Sequence, residues 1–373
     1  MPLLIFFHSA KGFREGTLTH GDRRGTRSLD RLQRTGPVQV LLFHRGGIGD
    51  IVFAVPLIDD LRAAFPKARL VVLTHSKGEQ VLRFSPRIDR IIAVGEMERP
   101  WSVSEARAAL QGEPFDVAVT TSVSARATYL IWGTGARVRA GFDSALGRIL
   151  LTHRASLRPF EVVFSRRYQR LAEALGIPNM ARAPALEISK EQREEAGESL
   201  RRRGWDGRQA LIAVHIGGGW PTKQWPVEHI GDFARLADQR YGAKVLLQGS
   251  AGDAARAKEI AAMAKGLVLS SVGNSVAEAI AESAVCKVAV GIDSGLSHAA
   301  AACGTPTVFL FGPNEPGSIL VSKHRLILTR DLECRPCNRA GIVACPLTHH
   351  RCMREQSPEA VLEAASSWIS PGV

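Results

Sequence analysis

From Val38 onward, short apolar runs alternate with longer stretches whose apolar positions recur every three or four residues. "VQVLLF" (38–43) predicts a buried strand, and "IVFAVPLIDDLRAAF" (51–65) a helix that Pro66 closes. Strands follow at "ARLVVLTH", "IDRIIAV" and "FDVAVTT", separated by helices at "GEQVLRFSP" and "SEARAALQG". A helix at "FSRRYQRLAEALGI" leads into "PNMARAPALEIS", a Pro- and Ala-containing linker around 177–188. The alternation then restarts. Strands are expected at "ALIAVHI", "AKVLLQG", "LVLSSVG", "KVAVGID" and "PTVFLFG". Helices between them are expected at "PVEHIGDFARLADQRY", "DAARAKEIAAMAKG", "SVAEAIAESA" and "LSHAAAACG". A last helix, "SPEAVLEAASSWIS", comes near the end. Short apolar strands alternating with helices predict an α/β protein of parallel sheets covered on both faces.

This pattern gives two doubly wound, Rossmann-like domains, 38–182 and 183–356, with a C-terminal helix in 357–373 and a cleft expected between the domains. Residues 1–37 are polar, Arg-rich and without periodicity after a short apolar patch. They lack a basic region before that patch and a small-residue cleavage site, so no signal peptide is read; a disordered extension is expected.

In the 373 residues no apolar run reaches the roughly 18 needed for a membrane helix. Net charge is +12, which favours anionic partners unless it reflects only an Arg-rich composition. No zinc-finger spacing, RNA-recognition signature or aromatic–basic interleaving appears, so nucleic acid is not expected as a partner.

Ligands of open parallel sheets sit outside the carboxyl ends of the strands, and four strand ends here carry unusual residues. "HRGGIGDIVF" has Gly47 and Gly49 spaced as in a dinucleotide fingerprint, but Val52 replaces the third glycine, and the second strand ends in Thr74 and His75 rather than an acid. NAD is disfavoured, and Asp50 is left as either a helix N-cap or a functional carboxylate. "HIGGGWPTKQWP" (215–226) frees backbone at Gly217 and Gly218, with Thr222 and Lys223 placed to meet a phosphate; a flexible loop with a solvated lysine is the alternative. "GIDSGLSHAAAACG" (291–304) ends a strand at Asp293 and opens a helix at Ser294 and Gly295, whose free N–H groups suit an anion. His298 lies on its first turn, as a phosphate contact or a core histidine. "LFGPNEPGS" (310–318) reads as a rigid rim or a plain turn.

Cys334, Cys337, Cys345 and Cys352 read C-x2-C-x7-C-x6-C, a spacing open to tetrahedral zinc or iron, to reduced thiols, or to a disulfide. His349 and His350 beside them are alternative acceptor-site residues, and Cys286 and Cys303 read as core.

"GGIGDIVFAVPLIDDLRAAFP", "WPTKQWP", "DSGLSHAAAACGTPTVFLFGPNEP" and "CRPCNRAGIVACPLTHHRCM" together resemble glycosyltransferase family 9, the heptosyltransferases of lipopolysaccharide inner-core assembly. The resemblance runs from Val38 nearly to the end. It implies a GT-B fold, an ADP-heptose donor, inversion at the anomeric carbon, and a phosphorylated lipid A–Kdo core acceptor at the anionic cytoplasmic face of the inner membrane. No cofactor is implied for catalysis. Asp50 becomes the expected general base, kept ionised by its helix N-terminus. Lys223 and the 293–298 helix start become the diphosphate site, with Asp293 holding the donor and Asp253 the candidate for its ribose. A related cysteine block binds iron in protein-modifying heptosyltransferases. Protein O-heptosyl transfer and a non-catalytic nucleotide-binding scaffold are the alternative functions.

Overall fold

The computed structural model describes residues 38–157, 164–178, 180, 182–314, 324–328, 332–337 and 343–369, with 164–165 and 324–328 as backbone only. The expected extension over 1–37 lies outside the described residues. The chain divides into two compact units, with the boundary between Glu187 and Ile188, inside the expected linker.

The first unit contains β1 (Gln39–Phe43), α1 (Ile48–Ala64), β2 (Arg69–Thr74), α2 (Ser76–Leu82), β3 (Arg90–Ala93), α3 (Val103–Ala109), β4 (Val117–Thr120), α4 (Ala125–Gly133), β5 (Val138–Phe142), α5 (Gly147–Leu150), β6 (His153–Ala155) and α6 (Phe164–Leu175). Its six strands are all parallel, in the order β3-β2-β1-β4-β5-β6. The central strands are apolar throughout because both faces are covered: Leu41, Leu42, Val71 and Val119 have no exposed surface. α1 packs against α6 and is itself apolar nearly all round, Ile51 to Ile58 being buried.

The second unit repeats the plan with α7 (Lys190–Arg202), β7 (Leu211–His215), α8 (Val227–Tyr241), β8 (Lys244–Gln248), α9 (Ala254–Met263), β9 (Val268–Ser270), α10 (Val276–Ser283), β10 (Val288–Ile292), α11 (Gly295–Ala302), β11 (Thr307–Phe311), β12 (His324–Leu328), α12 (Arg351–Arg354) and α13 (Pro358–Ile369). Its order is β12-β11-β10-β7-β8-β9, again all parallel. The C-terminal helix α13 packs on α8 and joins this unit's core through Val361, Leu362 and Ala365.

In each unit the winding reverses between the first and fourth strands, β1/β4 and β7/β10. Such switch points leave a crevice at the strand carboxyl ends. No helix among the described residues is long and apolar enough to cross a membrane.

Candidate active site

The second unit's switch point is centred on Asp293, the first residue past β10. Its carboxylate accepts from Lys223 Nζ at 2.9 Å, from His298 Nε2 at 2.9 Å and from Asn314 Nδ2 at 2.5 Å. Lys223 Nζ also donates to the Asp293 carbonyl at 3.1 Å. Burial pushes the Asp293 pKa up, but the His298 hydrogen bond and the charges of His298 and Lys223 outweigh it and hold the carboxyl well below its usual range. Three loops that follow three different strands thus meet at one carboxylate.

Local sequence explains each arm. Ser294 is extended and caps α11, its Oγ accepting from Ser297 N–H. The next amides, from Gly295 on, open the helix with free donors. Ser297 Oγ in turn lies 3.0 Å from Nδ1 of buried His215, tying β7 to α11. Burial pulls the His215 pKa down to about 4, so the ring is neutral at physiological pH. Lys223 closes a one-turn 3₁₀ helix, Pro221–Lys223, that follows the glycines. Two of those glycines are closely approached by neighbouring side chains. A Cβ on Gly217 would lie 2.4 Å from Asp253 Oδ2, and one on Gly218 would lie 2.3 Å from Ile292 Cδ1. Asp253 sits on the same side of the sheet, where Oδ2 accepts from the N–H and Oγ of Ser250 at 2.8 and 2.7 Å.

The cysteine-bearing segment holds these loops from outside. His350 Nε2 donates to the Thr222 carbonyl at 2.5 Å, and Cys337 N–H donates to the Pro313 carbonyl at 3.1 Å. Arg335 donates to the carbonyls of Gly312 and Asn314. His350 itself has φ 48°, the left-handed region that non-glycine residues occupy at a cost. His350 is thus tied to the loop that carries Lys223.

The expectation of a zinc or iron site is not met in this geometry. All six cysteines are free, and among the described residues no three His, Cys, Asp or Glu side chains are grouped to hold a metal ion. Cys334, Cys337, Cys345 and Cys352 do lie near one another. Burial first, with neighbouring thiols adding, pushes Cys337 up and Cys352 up to about 11. Cys352 is buried beside Gly312. Cys337, Cys345 and Cys352 line a small apolar cavity with Thr222, Pro313 and His350.

In the first unit the N-cap of α1 is Gly47, and Asp50 is the third helical residue, its Oδ2 accepting from Gly47 N–H at 3.0 Å. The N-cap alternative for Asp50 is thus corrected: the carboxylate completes the cap from inside the first turn. A Cβ on Gly46 would fall 2.5 Å from Asp50 Cβ and 3.0 Å from His44 Nε2, so only glycine fits there. His44, just past β1, pairs its Nδ1 with Thr121 Oγ1 past β4 at 2.6 Å, across the switch point. Burial, with the charges of His75 and Arg167, lowers the His44 pKa to about 3. Tyr168 on α6 hydrogen-bonds the Asp50 side chain, and burial together with the Asp50 charge raises its pKa. His75 Nε2 donates to the Gly46 carbonyl at 2.8 Å, fixing the loop from β2.

Sequence reasoning brought Lys223, Asp293 and His298 together correctly in space. It missed His44, Thr121, Tyr168, His215 and Asn314. His44, Thr121 and His215 had a usable signal, a polar residue directly at the end of an apolar strand. Tyr168 had none, because its partner lies on another element.

Comparison with known proteins gives the family and the fold. The model of glycosyltransferase family 9 (heptosyltransferase) matches residues 103–346, well over half of the chain. Lipopolysaccharide heptosyltransferase 1 of Pseudomonas aeruginosa is 26% identical over 319 residues, covering 80% of this chain and 86% of that protein. Among solved structures, a family 9 glycosyltransferase from Veillonella parvula superposes with a TM-score of 0.77 at 22% identity, covering 89% of this chain and 97% of the other. The Escherichia coli ADP-heptose lipopolysaccharide heptosyltransferase II gives 0.74 at 23% identity, covering 89% and 98%. Both structures show the GT-B fold for this chain. With the family model covering the second unit's switch point, the chain belongs to glycosyltransferase family 9 and is a glycosyl-transferring enzyme.

Proposed function

We propose that this enzyme is an inverting heptosyltransferase that moves heptose from ADP-heptose to the lipopolysaccharide inner core. The acceptor is a phosphorylated, lipid-anchored core ending in Kdo or heptose, met at the anionic cytoplasmic face of the inner membrane. The observation that carries the reading is the Asp293 cluster, which holds Lys223 beside a helix N-terminus within a family 9 frame. The named relatives, one titled for ADP-heptose, supply the sugar.

In this reading the α11 amides and Lys223 bind the diphosphate, with Thr222, Gly217 and Gly218 shaping the loop above it. Asp253 stands by for the ribose. Asp50 accepts the proton of the acceptor hydroxyl as its oxygen bonds the anomeric carbon from the face opposite ADP. The bond from that carbon to the phosphate oxygen breaks, and its electron pair leaves with ADP. Lys223 and the helix N-terminus stabilise the charge that develops on the leaving phosphate. Tyr168 and Gly47 N–H fix the Asp50 carboxylate.

The test is calorimetric titration with ADP, UDP, GDP and NAD on wild type and Lys223→Ala, followed by turnover of ADP-heptose with Asp50→Ala. Selective ADP binding lost in Lys223→Ala is expected, with Asp50→Ala lowering kcat by about 10²–10⁴-fold at unchanged ADP affinity. Preference for UDP or GDP would change the donor. No nucleotide binding at all would favour a non-catalytic scaffold.

A further inference from the structure

We propose that the outer face of α4 and α5 in the first unit docks on an anionic lipid bilayer. It builds on the lipid-anchored acceptor of the proposed function and names the surface of this chain that meets the lipid.

The evidence begins with α4. Its inner face buries Ala127, Thr128, Leu130 and Ile131. The opposite face of a helix at a protein surface is ordinarily polar. Here it carries Tyr129 and Trp132, 44% and 45% exposed, with ring centroids 5.5 Å apart. The spacing of three puts both rings on one side. α5 packs against α4 and presents Ile149, 78% exposed, while Val123 just before α4 is 47% exposed. Half of the large hydrophobic side chains exposed among the described residues fall between Val123 and Leu157, a concentration in the segment whose helices α4 and α5 touch.

Charge selects the partner. Residues 121–157 contain Arg126, Arg137, Arg139, Arg148 and Arg154 against a single acid, Asp143. Arg139 is turned inward to the carbonyls of Ala136 and Leu150, and Arg148 and Arg154 share Asp143. Arg126, three residues before Tyr129 on α4, and Arg137, four residues past its end, are both exposed, Arg126 also donating to the Trp101 carbonyl at 3.3 Å. Trp and Tyr rings settle at the headgroup level of a bilayer, and arginines reach anionic headgroup phosphates. A helix of nine residues and one of four give little area beside the roughly 800 Å² per partner of a stable protein interface, so a lipid surface suits the patch better than a protein.

The experiment is co-sedimentation of the full chain with phosphatidylcholine vesicles and with vesicles in which about a third of the lipid is phosphatidylglycerol. Binding to the anionic vesicles alone is expected, weakening as salt rises. Trp132→Ser with Ile149→Ser should lower the partition coefficient by about tenfold or more. Arg126→Ala and Arg137→Ala should each lower it about fivefold. None of these residues touches the Asp50 or Asp293 clusters, so ADP titration and the melting temperature serve as controls for folding. The proposal is overturned if wild type ignores anionic vesicles, or if the Trp132/Ile149 variant binds them equally well. It is also overturned if light scattering shows a dimer that this variant abolishes, since a second copy would then cover the patch. Vesicle binding without heptosyl transfer would sink the proposed function alone; transfer to a deacylated soluble acceptor without vesicle binding would sink this surface alone.

Discussion

Replacing Asp293 with alanine tests whether one carboxylate organises the second unit's switch point. The side chains of Lys223 and Asp293 are 14% and 19% exposed, and that of His298 5%. Removing one member of a buried ion pair leaves the other charge uncompensated and costs about 3–5 kcal/mol. The residual exposure of the pair points to the lower end, about 3 kcal/mol. For a unit of this size each kcal/mol moves Tm by about 2–4 °C, so Asp293→Ala should melt about 6–12 °C lower near pH 7 without nucleotide. The pH dependence adds a sign. The folded carboxyl lies well below its ordinary 3.8, so its contribution is complete above that value and is lost as pH falls through and below it. Scanning calorimetry of both proteins should therefore show a wide gap at pH 7 that narrows below about pH 4. Carboxylates common to both proteins cancel in the difference. A gap under about 1 kcal/mol at neutral pH, or one unchanged in acid, would refute the ionised carboxylate as organiser.

Two further substitutions probe the surroundings. Gly291→Ala would place a Cβ 2.3 Å from Ser297 Oγ and 2.9 Å from His215 Nδ1, both buried, and should cost about 1–3 kcal/mol by denaturant titration; an unchanged midpoint would show that the pair yields freely. His350→Ala removes the donor to the Thr222 carbonyl and should weaken ADP binding by about fivefold, the equivalent of one ordinary hydrogen bond, with kcat nearly unchanged; equal ADP affinity in calorimetry would detach the segment from the donor loop.

Most of the sheet framework is legible because fully buried parallel strands must be apolar from end to end. "VLLF", "VAVG" and "FLF" announce themselves. The stretch from Ala125 to Ala155 is hard to resolve into elements from sequence, since α4 carries Tyr129 and Trp132 on its outer face and α5 and β6 are four and three residues long. In the second unit, residues read from a glycine loop or a helix start, Lys223, Asp293 and His298, do come together. The residues that orient them are not found this way. Asn314 meets Asp293 from 21 positions away, and Thr121 meets His44 from 77, and such pairs leave no local trace.

The contacts that brace the Lys223 loop are made very late in the chain. His350 reaches Thr222 across 128 residues, and Trp225 Nε1 donates to the Gln356 carbonyl across 131. A ribosome must therefore release the chain past residue 356 before the loop can be locked in place. A nascent or prematurely stopped chain would carry the glycines, the lysine and the aspartate without these two hydrogen bonds. On the proposed donor site, a nucleotide would meet a braced Lys223 loop only once synthesis has passed residue 356.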